Sequence, residues 1–277
     1  MRRGLDPYRP TDFYYVLDKS SRQPDRLVLV GGQALEVWGT LLNVPAPVAP
    51  EKQGNYYHAL TLDADWLGHR DDAEWLAELL GVERTQLCIP APDDPTANTA
   101  VLYLERDSRI MLMDFLATVT GLDNDEIKKF APDVVITSDL GQQFNLRVLD
   151  PIHCLQSRMS NLKAYATKRE GNGPDQAAWA VDLVRAYLLY LVNNGAPEKT
   201  MRSQCHRVAE LAEYGAKAAE FCFANYGIDP LQAVTDDVIT AAGQQFQEMD
   251  WPMTTARIRA KQEHWIDKAR RLMQRQM

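Results

Sequence analysis

Three aspartates in the first half of the chain are spaced for metal chemistry. Asp63 and Asp65 flank Ala64 within a run of apolar and β-prone residues, so in a strand both carboxylates project from one face. Asp114 lies near the end of a second apolar run, where a buried acid needs a partner or a cation. Carboxylates held close together repel each other, and a hard divalent cation such as Mg²⁺ or Mn²⁺ relieves that repulsion. The alternative is three solvated acids at strand ends.

A pair of glycines, Gly31-Gly32, follows the short apolar run at residues 27–30 and precedes helical spacing over residues 34–42. A strand that passes through glycines into a helix leaves backbone N–H groups facing outward, and such groups bind anions. The pair therefore predicts an anion site beside the aspartates, although a tight turn that binds nothing has the same sequence pattern.

The first 150 residues alternate between strand and helix patterns. Helices are predicted at residues 11–20 and 71–81, and the aspartate strand is expected to start near Tyr56. Two β-hairpins follow, in which apolar runs are joined by short polar turns. The first pairs residues 99–104 with 109–116 through a turn at 105–108, and the second pairs residues 134–137 with 144–149 through 139–142.

After Asp150-Pro151 the pattern is helical throughout. Helices are predicted at residues 151–165, 176–193, 198–226, 230–247 and 254–274. We therefore expect an α+β fold with two domains, a mixed sheet with flanking helices over residues 1–150 and an all-helical C-terminal domain over residues 151–277.

Composition narrows the class of protein. The 277 residues are 45% hydrophobic and 25% charged, which suits a globular chain, and the net charge of −8 argues against general binding to polyanions. The last predicted helix is locally basic and leaves contact with RNA open. Four scattered cysteines without a C-x-x-C pair indicate reduced thiols. With no export signal and no apolar run long enough for a bilayer, we expect a cytoplasmic protein with no membrane partner.

Taken in chain order, these parts resemble the nucleotidyltransferase superfamily, whose small core is shared with DNA polymerase β. Within that superfamily the sequence is most similar to the bacterial abortive-infection toxins of the AbiEii type. The resemblance spans roughly residues 25–165. It rests on Val30-Gly31-Gly32-Gln33-Ala34-Leu35, Thr61-Leu62-Asp63-Ala64-Asp65-Trp66, Met113-Asp114-Phe115-Leu116 and the segment at residues 148–162.

The resemblance implies a nucleotidyltransferase-like sheet and a reaction in which an NMP moves from an NTP to an acceptor. Mg²⁺ or Mn²⁺ would be held by three carboxylates, those of Asp63, Asp65 and Asp114. The phosphates would be bound by Gly31, Gly32 and Gln33, and by a basic residue on the helix after the core, Arg158 or Lys163. The acceptor could be RNA, a protein or a small molecule, and a cognate antitoxin or a role in phage defence would fit the toxin-like branch.

Some positions depart from the superfamily pattern. Gly32 stands where many members carry a serine, so a hydroxyl contact to the nucleotide is missing. Arg158 can equally be a surface arginine held in an ion pair. The alternative to an enzyme is a catalytically inactive member that keeps the fold as a binding or interaction module.

Overall fold

Seven strands form one mixed sheet in the first half of the chain. The computed structural model describes residues 10–47, 63–91, 93–138 and 140–276. The strands are β1 (Val28–Val30), β2 (Asp63–Leu67), β3 (Thr85–Cys88), β4 (Asn98–Arg106), β5 (Arg109–Leu116), β6 (Asp133–Thr137) and β7 (Gln143–Val148). The chain divides into two compact units, Met1–Asp150 and Pro151–Met277, and the sheet belongs to the first. The expected combination of a sheet with several helices is confirmed at this level of detail.

The strand order across the sheet is β3-β4-β5-β2-β1-β7-β6. β2 runs parallel to β5 and antiparallel to β1, and β1 runs parallel to β7. β1 is short, and its three apolar residues are all buried, as expected for a strand with neighbours on both sides. This order places the strand with Asp63 and Asp65 directly between the strand with Asp114 and the strand that leads into Gly31.

The described residues of the first unit contain four helices beside the sheet, namely α1 (Pro10–Ser20), α2 (Gly31–Leu41), α3 (Arg70–Leu80) and α4 (Asn124–Phe130). At the start of α3 the backbone N–H of His69 donates to Oδ2 of Asp72 over 2.6 Å, and the side chain of Asp123 caps α4. β3 and α4 had no counterpart in the sequence prediction because both are short. The expected start of the aspartate strand near Tyr56 lies outside the described residues.

Both predicted hairpins are present, with β4 pairing β5 and β6 pairing β7. The first hairpin is tighter than predicted. Its strands continue to Arg106 and Arg109, so the connection is the two residues Asp107 and Ser108, both with positive φ (51° and 61°). Two positive φ values suit a two-residue hairpin turn because they match the twist of the strands.

The second unit is built from helices and short helical turns in its described residues. The helices are α5 (Pro151–Ala164), α6 (Ala166–Glu170), α7 (Gly173–Asn193), α8 (Glu198–Glu213), α9 (Ala219–Tyr226), α10 (Asp236–Ala241) and α11 (Trp251–Gln276). Among the described ranges, none of these helices or those of the first unit is both long enough and apolar enough to cross a membrane.

Two predicted helices of this unit are wrong. The expected helix at 198–226 is interrupted between α8 and α9, where Gly215 (φ 44°) and Lys217 (φ 66°) leave the right-handed helical region. The expected helix at 230–247 is replaced by a 3₁₀ turn at Pro230–Ala233, the short α10 and a π-helical turn at Phe246–Asp250. Apolar residues continue through both breaks, so hydrophobic spacing does not reveal them.

Candidate functional site

The carboxylates of Asp63, Asp65 and Asp114 come together on one face of the sheet. Asp65 is the register partner of Asp114 across the parallel β2–β5 pair, and Asp63 lies two residues earlier on β2. Ala64 between them is completely buried, whereas all three aspartates are half-buried. One ligand atom from each of the three residues can be chosen so that all lie within 4.8 Å of one another. Strand alternation and the parallel register together produce this cluster.

Gly31 lies against this cluster and has space for no side chain. It follows Val30, the register partner of Asp65 on β1, and has a φ of 68°. A Cβ atom at this position would stand 1.9 Å from Oδ2 of Asp65, well inside van der Waals contact. Glycine is therefore required here both by the backbone conformation and by the close approach of the Asp65 carboxylate.

Because Gly31 and Asp65 lie so close together, the N-terminus of α2 lies directly beside the Asp65 carboxylate. Val30 supplies no side-chain cap, and the first turn, which contains Gly31, Gly32 and Gln33, contains no acidic residue. Such a helix end presents unpaired backbone N–H groups and the positive end of the helix dipole. Gln33 is fully buried, and neither amide atom of its side chain has a hydrogen-bond partner among the described residues. A buried amide without partners is costly unless a ligand satisfies it.

Asn98 is a site residue that the sequence patterns did not indicate. Its Nδ2 donates a hydrogen bond to Oδ1 of Asp114 over 2.8 Å. The register between β4 and β5 shifts between Asn98 and Ala100. In this irregularity the single hydroxyl proton of Thr99 lies within hydrogen-bonding reach of the carbonyl oxygens of Gly68 (2.9 Å) and Phe115 (3.2 Å). β-Bulges of this kind re-aim side chains next to functional sites.

The two predicted basic residues lie on α5 of the second unit. Nη1 of Arg158 donates to Oε1 of Gln176 over 2.9 Å, and Nζ of Lys163 donates to the carbonyl oxygen of Lys217. Among the described residues, Arg158 therefore has an amide partner and no carboxylate partner. Both contacts lie within the second unit, so a role of either residue in binding phosphate stays a prediction.

The three carboxylates fit a hard divalent cation. They supply only oxygen ligands, and Mg²⁺ and Mn²⁺ prefer oxygen over nitrogen or sulfur. All three come from adjacent strands of one sheet, which is a rigid way to hold ligands. An Mg²⁺ or Mn²⁺ ion at this position would neutralise carboxylates that otherwise repel one another.

Comparisons with models of protein families and with curated proteins found no match for the chain.

Proposed function

We propose that the protein is a metal-dependent nucleotidyltransferase, which moves an NMP from an NTP to a hydroxyl of an acceptor. The proposal is carried by one observation, the cluster of three carboxylates immediately beside the glycine turn at the start of α2. Carboxylates alone would support many metal-dependent reactions. A phosphate-binding helix end next to them narrows the substrate to one that carries phosphates.

Each part of the site has a role in this reaction. Asp63, Asp65 and Asp114 would hold Mg²⁺ or Mn²⁺, which neutralises phosphate charge and lowers the pKa of the attacking hydroxyl when bound. The N–H groups of Gly31 and Gly32 would bind the β- and γ-phosphates, and the buried amide of Gln33 would donate to the same oxygens. Attack on the α-phosphorus forms the acceptor–NMP ester, breaks the bond to pyrophosphate and releases one proton. Catalysis would then come mainly from positioning and charge neutralisation.

Calorimetry with each NTP, with and without Mg²⁺ or Mn²⁺, tests the proposal. We expect binding of at least one NTP that depends on the metal. Asp63→Asn should remove that dependence and lower transfer roughly 100-fold or more, because it removes a charged ligand without changing side-chain size. Asp133→Asn is the matched control, since it removes the same charge from an exposed position on β6. It should bind NTP like the wild type.

The position of a label on the phosphates of the NTP distinguishes nucleotidyl transfer from related activities. With NTP labelled at the α-phosphate, label should appear on the acceptor, whereas label at the γ-phosphate should leave as pyrophosphate. Transfer of the γ-label would instead indicate a kinase. Metal-dependent NTP binding without any transfer would favour the inactive binding module, and the absence of metal-dependent binding to every NTP would overturn the proposal.

A further inference from the structure

β6 lies at one edge of the seven-stranded sheet, and among the described ranges only β7 pairs with it. Beside the hairpin turn, the backbone N–H of Ser138 donates to the carbonyl oxygen of Gln142 over 2.8 Å. Hydrogen-bonded residues alternate along an antiparallel strand, so Asp133, Val135 and Thr137 direct their backbone N–H and C=O groups away from β7. These groups form an open row along the edge of the sheet.

The sequence of β6 has few of the features that protect an open edge. Natural edge strands are usually blocked by lysine, proline or a β-bulge. β6 contains neither lysine nor proline, and its register with β7 is uninterrupted over its five residues. Its only charged residue, Asp133, occupies the first position. An edge of this kind is a template for one more extended strand.

Exposed apolar side chains accompany the open row. Val135, at the centre of β6, is 49% exposed, and Leu140, in the turn after the strand, is 88% exposed. A hollow of about 280 Å³ lies beside β6 against α1 and α2, and Phe13, Leu41 and Val135 contribute to its wall. A strand added at this edge would therefore gain hydrophobic burial as well as backbone hydrogen bonds.

The sequence of β6 is complementary to itself. In an antiparallel pair centred on Val135, the two copies of Val135 face each other and Asp133 faces Thr137. All three outward-directed residues then exchange N–H···O=C bonds with the other copy. The Asp133 carboxylate lies opposite a hydroxyl that can donate to it, whereas a pair centred on Asp133 would place two carboxylates opposite each other. Charge and hydrogen bonding therefore favour one register.

The same register also accounts for Leu140. Continued past the strand, it brings Leu140 of one copy level with Phe130 of the other. Phe130 is the last residue of α4 and is only half-buried. A highly exposed leucine would thus lie near an apolar ring at both ends of the strand pair.

We propose that the protein forms a two-fold symmetric dimer in which β6 pairs antiparallel with β6 of a second copy, centred on Val135. Two-fold dimers are the commonest assemblies of identical chains, and their interface must be complementary to itself. Two short strands and the side chains beside them make a small interface, so the dimer should dissociate on dilution. This dimer is independent of the proposed nucleotidyl transfer.

Sedimentation velocity of the full chain tests the proposal. We expect a shift from monomer to dimer as the concentration rises to about 100 μM. Val135→Lys and Val135→Glu each place two like charges opposite each other and should each remain monomeric. An equimolar mixture of the two variants should form dimers again, because opposite charges then face each other.

Two controls accompany these variants. Thermal unfolding followed by circular dichroism should show that both Val135 variants stay folded, since the side chain is half exposed. Val82→Lys introduces the same charge at a valine that is 70% exposed outside β6, and it should dimerise like the wild type.

A disulfide tests the register directly. Facing residues of a hydrogen-bonded antiparallel pair have Cα atoms about 5.5 Å apart, which a disulfide can span. Cys88→Ser removes the exposed native thiol, and in that background Val135→Cys should give a covalent dimer on oxidation by air. Gln86→Cys in the same background is the matched control, because it is exposed on β3 at the opposite edge of the sheet and should stay monomeric.

Two kinds of result would overturn the inference. A full chain that stays monomeric at about 100 μM would exclude a second copy and leave this edge to a strand from a different protein. A dimer that persists in both charge variants, or a Val135→Cys chain that cross-links no faster than Gln86→Cys, would place the interface elsewhere on the molecule.

Discussion

At the scale of single residues, the site depends on Gly31 as much as on the acids. The side chain of Asp65 occupies the space that any larger residue at position 31 would need. The carboxylate thus lies directly against the backbone of Gly31. Glycine at this position allows the proposed phosphate-binding turn and the proposed metal ligand Asp65 to lie side by side.

Gly31→Ala should therefore impair both the proposed phosphate binding and the proposed metal binding. The new methyl group would displace the Asp65 carboxylate, so we expect metal-dependent NTP binding to be lost in calorimetry. We also expect the free energy of unfolding in urea to fall by about 1–3 kcal/mol, from clash and from a positive φ imposed on alanine.

Gly141 provides the control for this substitution. It has a similar φ of 77°, but nothing lies within 4 Å of where its Cβ would be. Gly141→Ala should cost only about 1 kcal/mol of backbone strain and leave NTP binding unchanged. Equal effects of the two substitutions on binding would contradict the role assigned to Gly31.

Glu36 is a second residue whose environment has a measurable consequence. It is buried on α2, and burial raises the pKa of its carboxyl from 4.5 to about 7. The folded state therefore holds a proton that the unfolded state releases near pH 4.5. Stability from this group is fully present below pH 4.5, declines as the pH rises to about 7, and is constant above that value.

Glu36→Gln should remove this dependence. At about pH 5 the variant and the wild type should have similar free energies of unfolding, whereas at about pH 8 the variant should be more stable by about 2–3 kcal/mol. Urea unfolding across this pH range measures the difference. Glu263→Gln, at an exposed position of α11, should follow the wild-type profile, and a constant difference for Glu36→Gln at all pH values would contradict the burial argument.

At the scale of elements, the positions of the carboxylates could be predicted from the sequence, whereas the contacts around them could not. Alternation along a strand follows from backbone geometry, so Asp63 and Asp65 could be assigned to one face from sequence alone. The contact from Asn98 could not, because it depends on an irregular register that no residue pattern signals. Likewise, the break after α8 is made by backbone angles at Gly215 and Lys217 in a segment whose apolar spacing continues.

The attachment of α1 to the first hairpin is an interaction between elements that sequence spacing did not indicate. The carboxylate of Asp12 is almost completely buried and bonds to Nη1 of Arg109, and Nη1 of Arg106 lies 3.8 Å from its other oxygen. A buried acid shared by two arginines joins the helix to both strands β4 and β5. The pairing offsets the cost of burying the charges, which would be large for either partner alone.

Asp12→Ala should lower the free energy of unfolding by about 3–5 kcal/mol, because it leaves partly buried arginines without this carboxylate. Urea unfolding followed by circular dichroism measures the change. Asp18→Ala on the same helix removes an exposed carboxylate paired with Lys19 at 2.9 Å and should cost less than about 1 kcal/mol. A loss as small for Asp12 as for Asp18 would show that this ion pair does not hold α1.

At the scale of the whole molecule, the basic character of α11 is balanced within its own unit. Arg257 and Lys261 both bond to the buried carboxylate of Glu213, and Arg259 bonds to the buried Asp229. Lys268 pairs with Glu220 at 2.7 Å. These cations are therefore engaged with acids of the helical unit, which argues against the contact with RNA that the sequence leaves open.

The same contacts predict that the helical unit folds alone. Residues 151–277 contain a core of their own, including the fully buried Leu183, Val208 and Ile258, together with both partners of the α11 ion pairs. Expressed separately, this segment should be helical and unfold in one cooperative thermal transition. The buried Trp179 and Trp251 should give a near-UV circular dichroism signal that disappears in the same transition, since fixed packing and helix content are lost together.

Two substitutions in the fragment test the role of the α11 ion pairs. Asp229→Ala should lower the midpoint of the thermal transition because it removes the partner of Arg259. Asp182→Ala, at an exposed pair with Arg185, should leave the midpoint nearly unchanged. A helical fragment without a near-UV signal or without a cooperative transition would mean that the core of this unit is incomplete without the first 150 residues.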